Sequence, residues 1–319
     1  MSIISSYNVK CAGDKVERLN LAGNIFVNLA DAYNHFPRMG SNLKHLILKR
    51  CYITYVQDQF FQNLDVLQYL NLAENQLRRV PAAVRRPSLL HLDLSYQCWP
   101  LLLCPFDLNS ESFEGMISLR RLDIKGVLRR VEAGAFSGAE YLEELDISSI
   151  FLTRIDKNAF VKNSRLRWLR CHQCWVLEPI HHEMWGLVHN IEHLDLSYSP
   201  HSIVDQGQRQ QGGGQDRSYT SIQLPYLKTL NLTCSMVVNN SICDEGLYQF
   251  ESPLDPELLK ALVRLETLDL SKNGLTSWTE RRFHNNSELR HLSLRTNKFK
   301  TLTEAMLQDF QQLEYLDLR

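Results

Sequence analysis

The chain has 319 residues, with 35 Lys and Arg against 36 Asp and Glu. That balance leaves no basic stripe strong enough to indicate nucleic acid, although it does not exclude local patches. No apolar run approaches the roughly 20 residues that cross a bilayer, and the greasiest stretch, Trp99 to Phe106, is short and broken by Pro100 and Pro105.

The opening residues, Met1 to Tyr7, do not read as a secretory signal: their apolar part is short and no charged segment precedes it. Residues 1–15 read as an N-terminal remnant or partial cap. From Val16 onward a spacing repeats. Leading apolar residues fall at Val16, Leu43, Leu67, Leu89, Leu119, Leu142, Leu166, Ile191, Leu227, Leu265, Leu289 and Leu313. Most steps between them are about 22 to 25 residues. Each is followed three and five places on by further apolar residues, as in Leu46/Leu48, Leu70/Leu72, Leu92/Leu94, Leu194/Leu196, Leu292/Leu294 and Leu316/Leu318. The latter two positions share one face of a short strand, because strand side chains alternate with period two. The stretch Leu265 to Leu275, with Asn273 where the chain turns, is the clearest copy.

Apolar residues at places one, four, six and eleven, with Asn at nine, make a leucine-rich repeat. The expected fold is therefore an α/β solenoid over residues 16–319. It comprises about twelve units, with a concave parallel β-sheet and a convex side of irregular, 3-10 and short helical segments. Phe61, Phe136, Phe160 and Phe283 each lie six residues before a leading leucine. They read as plugs between neighbouring units on the convex side, which is packing rather than chemistry.

The turn residues are Asn24, Cys51 and Asn75 in the first three units. A turn amide bonds backbone groups that would otherwise be unpaired. In the middle of the chain that place passes to Gln97, Val127, Ile150, Cys174, Ser199 and Ser235. Val127 and Ile150 cannot make an amide's bonds, so a ladder of turn bonds should break there, with a local change of twist between residues 89 and 237. Two insertions interrupt the spacing, near 204–223 and 238–257. The first holds the Gly/Gln-rich run Gly207 to Arg217, with no apolar residue to bury, and reads as a mobile loop. The second holds Tyr248 and Phe250, which could fold back on the solenoid. The chain ends at Arg319 inside a repeat, which reads as a fragment truncated at the C-terminus, because solenoids cap their last apolar edge.

Cys98/Cys104 and Cys234/Cys243 bracket short segments and suit disulfide clips in an oxidising compartment. Cys171-x-x-Cys174 resembles a redox pair, but the two fall on a strand core position and a turn position, so they read as buried thiols. Asn231, Asn239 and Asn285 each begin an N-glycosylation triplet.

The third place of each unit points out of the sheet and carries the candidate ligand-binding face. His45, Tyr69, His91, Arg121, Trp168, His193, His291 and Tyr315 occupy it, types enriched at partner interfaces. The column of aspartates beside it, Asp93, Asp123, Asp146, Asp195, Asp269 and Asp317, reads as a solubilising surface. Four column histidines (His45, His91, His193, His291) would make the face more positive on acidification. No catalytic constellation, metal site or cofactor motif is recognised: His181-His182-Glu183 lacks ligand spacing, and Gly212-Gly213-Gly214 lacks a following Lys.

Leu142 to Ser148, Leu265 to Leu275 and Leu289 to Phe299, with the Phe segments and the unit length, resemble extracellular repeats of the Toll-like receptor family. The resemblance implies a horseshoe ectodomain at the plasma membrane or endosome. Such an ectodomain binds a protein or microbial ligand on its concave or lateral face and signals through a receptor homo- or heterodimer. The alternative is a secreted or matrix adhesion or decoy protein. No transmembrane segment lies in the chain to decide between them.

Overall fold

The computed structural model describes residues 15–26, 28–29, 42–97, 105–176, 182–199, 204–205, 218–219, 224–235, 259–278 and 281–319. The chain divides into two compact units, Met1–Ile147 with Ala159–Asn163, and Ser148–Asn158 with Ser164–Arg319. Each is a leucine-rich repeat solenoid built on parallel strands. In the first unit the strands of the main sheet are β1 (Arg18–Asn20), β2 (His45–Ile47), β3 (Tyr69–Asn71), β4 (His91–Asp93), β5 (Arg121–Asp123) and β6 (Glu144–Asp146). In the second they are β7 (Trp168–Arg170), β8 (His193–Asp195), β9 (Thr229–Asn231), β10 (Thr267–Asp269), β11 (His291–Ser293) and β12 (Tyr315–Asp317). Within each unit consecutive strands pair in register, so that Leu46, Leu70, Leu92, Leu122 and Leu145 form one file. Leu169, Leu194, Leu230, Leu268, Leu292 and Leu316 form the other. All of these but Leu316 are at most 3% exposed. Burying one such side chain contributes about 1.5–3 kcal/mol, which no isolated unit could collect without neighbours.

A common turn ends most strands. The residue just before the turn position is left-handed in Arg50, Glu74, Tyr96, Gln173, Tyr198, Cys234, Lys272 and Thr296, with φ between 53° and 57°. Gly23 and Gly126 hold the same place with φ 77° and 73°, which glycine adopts without the Cβ penalty. The turn residue then folds its side chain inward. Asn75 donates from Nδ2 to the Leu48 and Leu72 carbonyls at 2.8 Å, and its Oδ1 accepts from the Cys51 and Ile53 N–H groups. Asn273 and Asn297 repeat the arrangement. Cys51 substitutes with its thiol, donating to the Leu21 and Lys49 carbonyls.

The ladder of turn bonds continues further than the sequence suggested. The Gln97 amide donates to the Leu72 and Leu94 carbonyls and accepts from Leu77 N–H. The Ser199 hydroxyl donates to the Cys171 carbonyl and the Ser235 hydroxyl to the Leu196 carbonyl, each in the preceding repeat. The side-chain ladder is interrupted at Val127 and Ile150, as expected from their chemistry. There the Val127 carbonyl accepts from Phe106 N–H instead, beside a second parallel pair, Phe106–Leu108 with Leu128–Val131.

One reading is corrected. Cys171 and Cys174 are not thiols but a disulfide, with Cα atoms 5.6 Å apart. The left-handed Gln173 between them swings the turn position back over the strand's core position, bringing two buried sulfurs into bonding range. Cys234 is also disulfide-bonded. Cys98, Cys104 and Cys243 lie outside the described residues, as do the second insertion and residues 1–14. Within the first insertion, Val204–Asp205 and Ser218–Tyr219 pair as an antiparallel ribbon.

On the side away from the sheet, Phe61, Phe113, Phe136, Phe160 and Phe283 are fully buried. Phe113, Phe136 and Phe160 stack at centroid distances of 5.8 and 5.1 Å with 12° between planes. Phe113, absent from the sequence reading, belongs to the same series. A second amide device follows it: Asn163 donates to the Phe136 and Ala139 carbonyls, and Asn286 to those of Leu259 and Leu262.

Candidate functional site

The outward column is built by the strands themselves. A buried leucine at the centre of each strand forces both its neighbours to the opposite face. In the first unit this places His45, Tyr69, His91 and Arg121 side by side. Their rings touch in sequence, His45 on Tyr69 at 5.7 Å and Tyr69 edge-on to His91 at 4.8 Å. Polar contacts continue the row. His91 Nε2 lies 2.8 Å from Asp123 Oδ2, which also accepts from Arg121 Nε at 2.9 Å. Arg121 Nη1 donates to Glu144 at 3.0 Å. Burial pushes the Asp123 carboxyl up, but the His91 and Arg121 bonds and the positive charge of Arg121 outweigh it and hold the pKa at about 2.

In the second unit Trp168, 48% exposed, stacks flat on His193 with centroids 3.7 Å apart. His193 Nδ1 also meets the Thr229 hydroxyl. Desolvation lowers the His193 pKa, and His45 is lowered for the same reason, with Arg18 adding to it. His291 and half-exposed Tyr315 form a separate pair at 6.3 Å. The small residues Thr229 and Thr267 stand between the two aromatic groups. Of the eight candidate residues, the structure thus gathers four in one row and four in two pairs.

The aspartate column has a role the sequence reading missed. Asp93, Asp195, Asp269 and Asp317 each accept, through Oδ1, the N–H two residues on. Asn20, Asn71 and Asn231 do the same. These are Asx caps that satisfy the backbone as the chain leaves the strand. Their signal was local: an Asp or Asn at the fifth place, two residues before the amide it caps.

A His, Ser and Asp do meet in the second unit. Ser197 Oγ donates to Asp195 at 2.6 Å and lies 2.8 Å from His172 Nδ1. The hydroxyl proton points to the carboxylate and not to the imidazole, so His172 is not placed to activate Ser197. Among the described residues no three His, Cys, Asp or Glu side chains form a metal-ligand group, and no helix is long and apolar enough to cross a membrane.

The chain is a leucine-rich repeat protein. The family described as "Leucine rich repeat" matches residues 41–97 and 263–319, and the "BspA type Leucine rich repeat region (6 copies)" matches residues 106–205. Among solved structures, the mouse RP105/MD-1 complex is similar at 19% identity and a TM-score of 0.69, covering 95% of this chain and 50% of that one. A Leptospira interrogans LRR protein is similar at 20% identity and 0.67, covering 93% and 64%. The Drosophila Toll–Spatzle complex is similar at 17% identity and 0.67, covering 95% and 41%. At these identities the likeness shows the fold. The chain spans between 41% and 64% of those proteins' lengths. No curated protein matches it by sequence.

Proposed function

We propose that the chain is the ligand-recognition part of an extracellular receptor of the Toll-like kind. It would hold a protein or microbial ligand on the outward face of the sheet, with receptor pairing as the output. The observation that carries this reading is the row of His45, Tyr69, His91, Asp123 and Arg121 on the first unit; the second unit carries its own exposed stack, Trp168 on His193. Aromatic and arginine side chains fixed in place by their neighbours lose little freedom on binding, so their contact area converts efficiently into affinity. The Cys171–Cys174 disulfide and the bonded Cys234 suit an oxidising, extracellular setting. Similar folds occur in the RP105/MD-1 complex and the Toll–Spatzle complex.

The test fuses the secreted chain to a reporter of receptor pairing and challenges it with lipopolysaccharide, a lipopeptide, a single-stranded RNA and a cystine-rich growth factor. One of them is expected to give a response. Tyr69→Ala or Trp168→Ala should weaken it by about 30-fold, the effect of losing one interface hot spot of about 2 kcal/mol. The thermal unfolding midpoint should stay unchanged. Silence toward all four, or a response indifferent to both substitutions, would overturn the reading.

A further inference from the structure

We propose that Asn231 carries an N-linked glycan standing on the outward face of the sheet, which takes the sector floored by Thr229, Thr267 and Asp269 out of partner contact. The inference rests on the extracellular placement proposed above and concerns the outward face of the second unit. Asn231 opens the triplet Asn231-Leu232-Thr233 and closes strand β9. Leu230 at the centre of that strand is buried, so Asn231 and Thr229 share the outward side. Asn231 is flanked in register by Asp195 and Asp269.

Its amide is oriented for attachment. Oδ1 accepts both the Thr233 N–H at 3.0 Å and the Thr233 hydroxyl at 2.8 Å. This fixes the carboxamide plane and leaves Nδ2 as the outer atom, with no hydrogen-bond partner among the described residues. The corresponding amide in the first unit, Asn71, spends Nδ2 on the Tyr69 hydroxyl and on Asp93 and has no hydroxyl residue two places on. The other described triplet begins at Asn285, whose Nδ2 donates to the Lys260 carbonyl at 3.2 Å. Among the described residues, the Asn231 nitrogen alone combines the triplet with an outward-facing, unengaged position.

The floor around it has the size a sugar needs. The outward column is aromatic, His or Arg at most strands, but it shrinks to Thr at β9 and again at β10, the two strands beside the attachment point. The fifth-place column there is Asp269 and then Ser293, also small and polar. A first sugar on Nδ2 therefore meets short hydroxyl and carboxylate groups, which can hydrogen-bond it, and not a ring that it would clash with. The two aromatic pairs stand on either side of this gap and remain available to a partner.

In the transfer, the Asn231 amide nitrogen attacks the anomeric carbon of an oligosaccharide carried on a lipid pyrophosphate. A C–N bond forms and the sugar's C–O bond to pyrophosphate breaks. The nitrogen gives up one proton to the departing pyrophosphate, and the lipid pyrophosphate leaves. One N–H remains on Nδ2, and Oδ1 keeps its two bonds to Thr233.

The experiment uses the whole chain, secreted from animal cells behind an added leader, so that extracellular placement is imposed and the outcome reports on Asn231 alone. Enzymatic deglycosylation in heavy-oxygen water followed by peptide mass spectrometry should tag residue 231 as a converted aspartate. In a Thr267→Cys background, a bulky maleimide should then label the glycosylated chain severalfold more slowly than the same chain carrying Asn231→Asp. Asp is the residue already found at the neighbouring positions 195 and 269, where it makes the same cap. If that double variant fails to fold, native deglycosylation of the single variant gives the same comparison. An untagged residue 231, or equal labelling rates with and without the glycan, would overturn the proposal, whereas ligand response in the reporter assay is judged separately.

Discussion

His91 and Asp123 lie on neighbouring strands and meet diagonally, with Nε2 and Oδ2 2.8 Å apart, so that the outward face of the first unit is tied together by a carboxylate only 7% exposed. Opposing effects set its behaviour. Burial favours the neutral acid, while the His91 and Arg121 bonds and the Arg121 charge favour the carboxylate and win, leaving a pKa of about 2 against an ordinary 3.8. A depressed acid stabilises the fold above its unfolded pKa, and that contribution is lost as pH falls through the folded one. The window is therefore pH 4 down to 2, and the contribution is about 2 kcal/mol. Urea unfolding should find Asp123→Asn less stable than the parent by about that amount at pH 5. At pH 2 the difference should have mostly gone.

Asn75 offers a sharper stability test. It satisfies two N–H groups and two carbonyls of adjacent turns, all with the residue itself fully buried. Asn75→Ala leaves those groups without partners where water cannot reach, at a cost of about 3 kcal/mol or more. Ile150→Ala removes a side chain that is half exposed and fills no turn, and should cost well under about 1 kcal/mol. Equal losses in the two variants, measured by chemical denaturation, would show that the turn amide does not carry the weight assigned to it.

The repeat was legible because each strand has one inward residue, and an unvarying leucine at that place can be counted along the chain. Leu46 through Leu316 needed nothing but period. The outward column was legible for the same reason, since its position follows from the leucine beside it. What those residues do to one another was not legible. That Tyr69 bridges two histidines, or that Trp168 stacks on His193 and not on some other neighbour, depends on rotamers chosen by packing. The cysteines show the limit most clearly. Spacing placed Cys171 on the core and Cys174 on the turn, and both assignments hold. Their bond depends on the left-handed backbone of Gln173, a conformation uncommon for a non-glycine residue. The Asx caps were missed because an aspartate beside a strand has an ordinary explanation as solvated surface.

Gly138 should be irreplaceable. A Cβ there would sit 2.2 Å from the Phe113 carbonyl oxygen and 2.7 Å from the Glu114 Cα, both backbone atoms that cannot rotate away. The close approach lets the Phe113 and Phe136 rings stack. Gly138→Ala is expected to cost at least about 1–3 kcal/mol through backbone displacement. Phe136→Ala, which leaves a void between two stacked rings, should cost about 3–5 kcal/mol. A Gly138→Ala chain that melts with the parent would mean the two units of the stack have room to separate.

Acidification should act on the face unevenly. The sequence places four histidines in one column, as though they would charge together near pH 6.5. The structure separates them by surroundings. His193 is covered by Trp168, and desolvation lowers its pKa. His45 is lowered by desolvation and by Arg18, with Glu17 opposing and Lys44 adding. For a base whose folded pKa is depressed, stability is complete above pH 6.5 and declines as pH falls through the folded value. His45 and His193 should therefore remain neutral at a pH where an unperturbed imidazole is already half charged. Imidazole NMR titration of the intact chain, with His45→Gln and His193→Gln to assign the signals, should place both midpoints below 6.5. In Trp168→Ala the His193 midpoint should climb back toward that value, since the ring that excludes water from it is gone. A His193 midpoint unmoved by that substitution would assign its shift to some neighbour other than the indole.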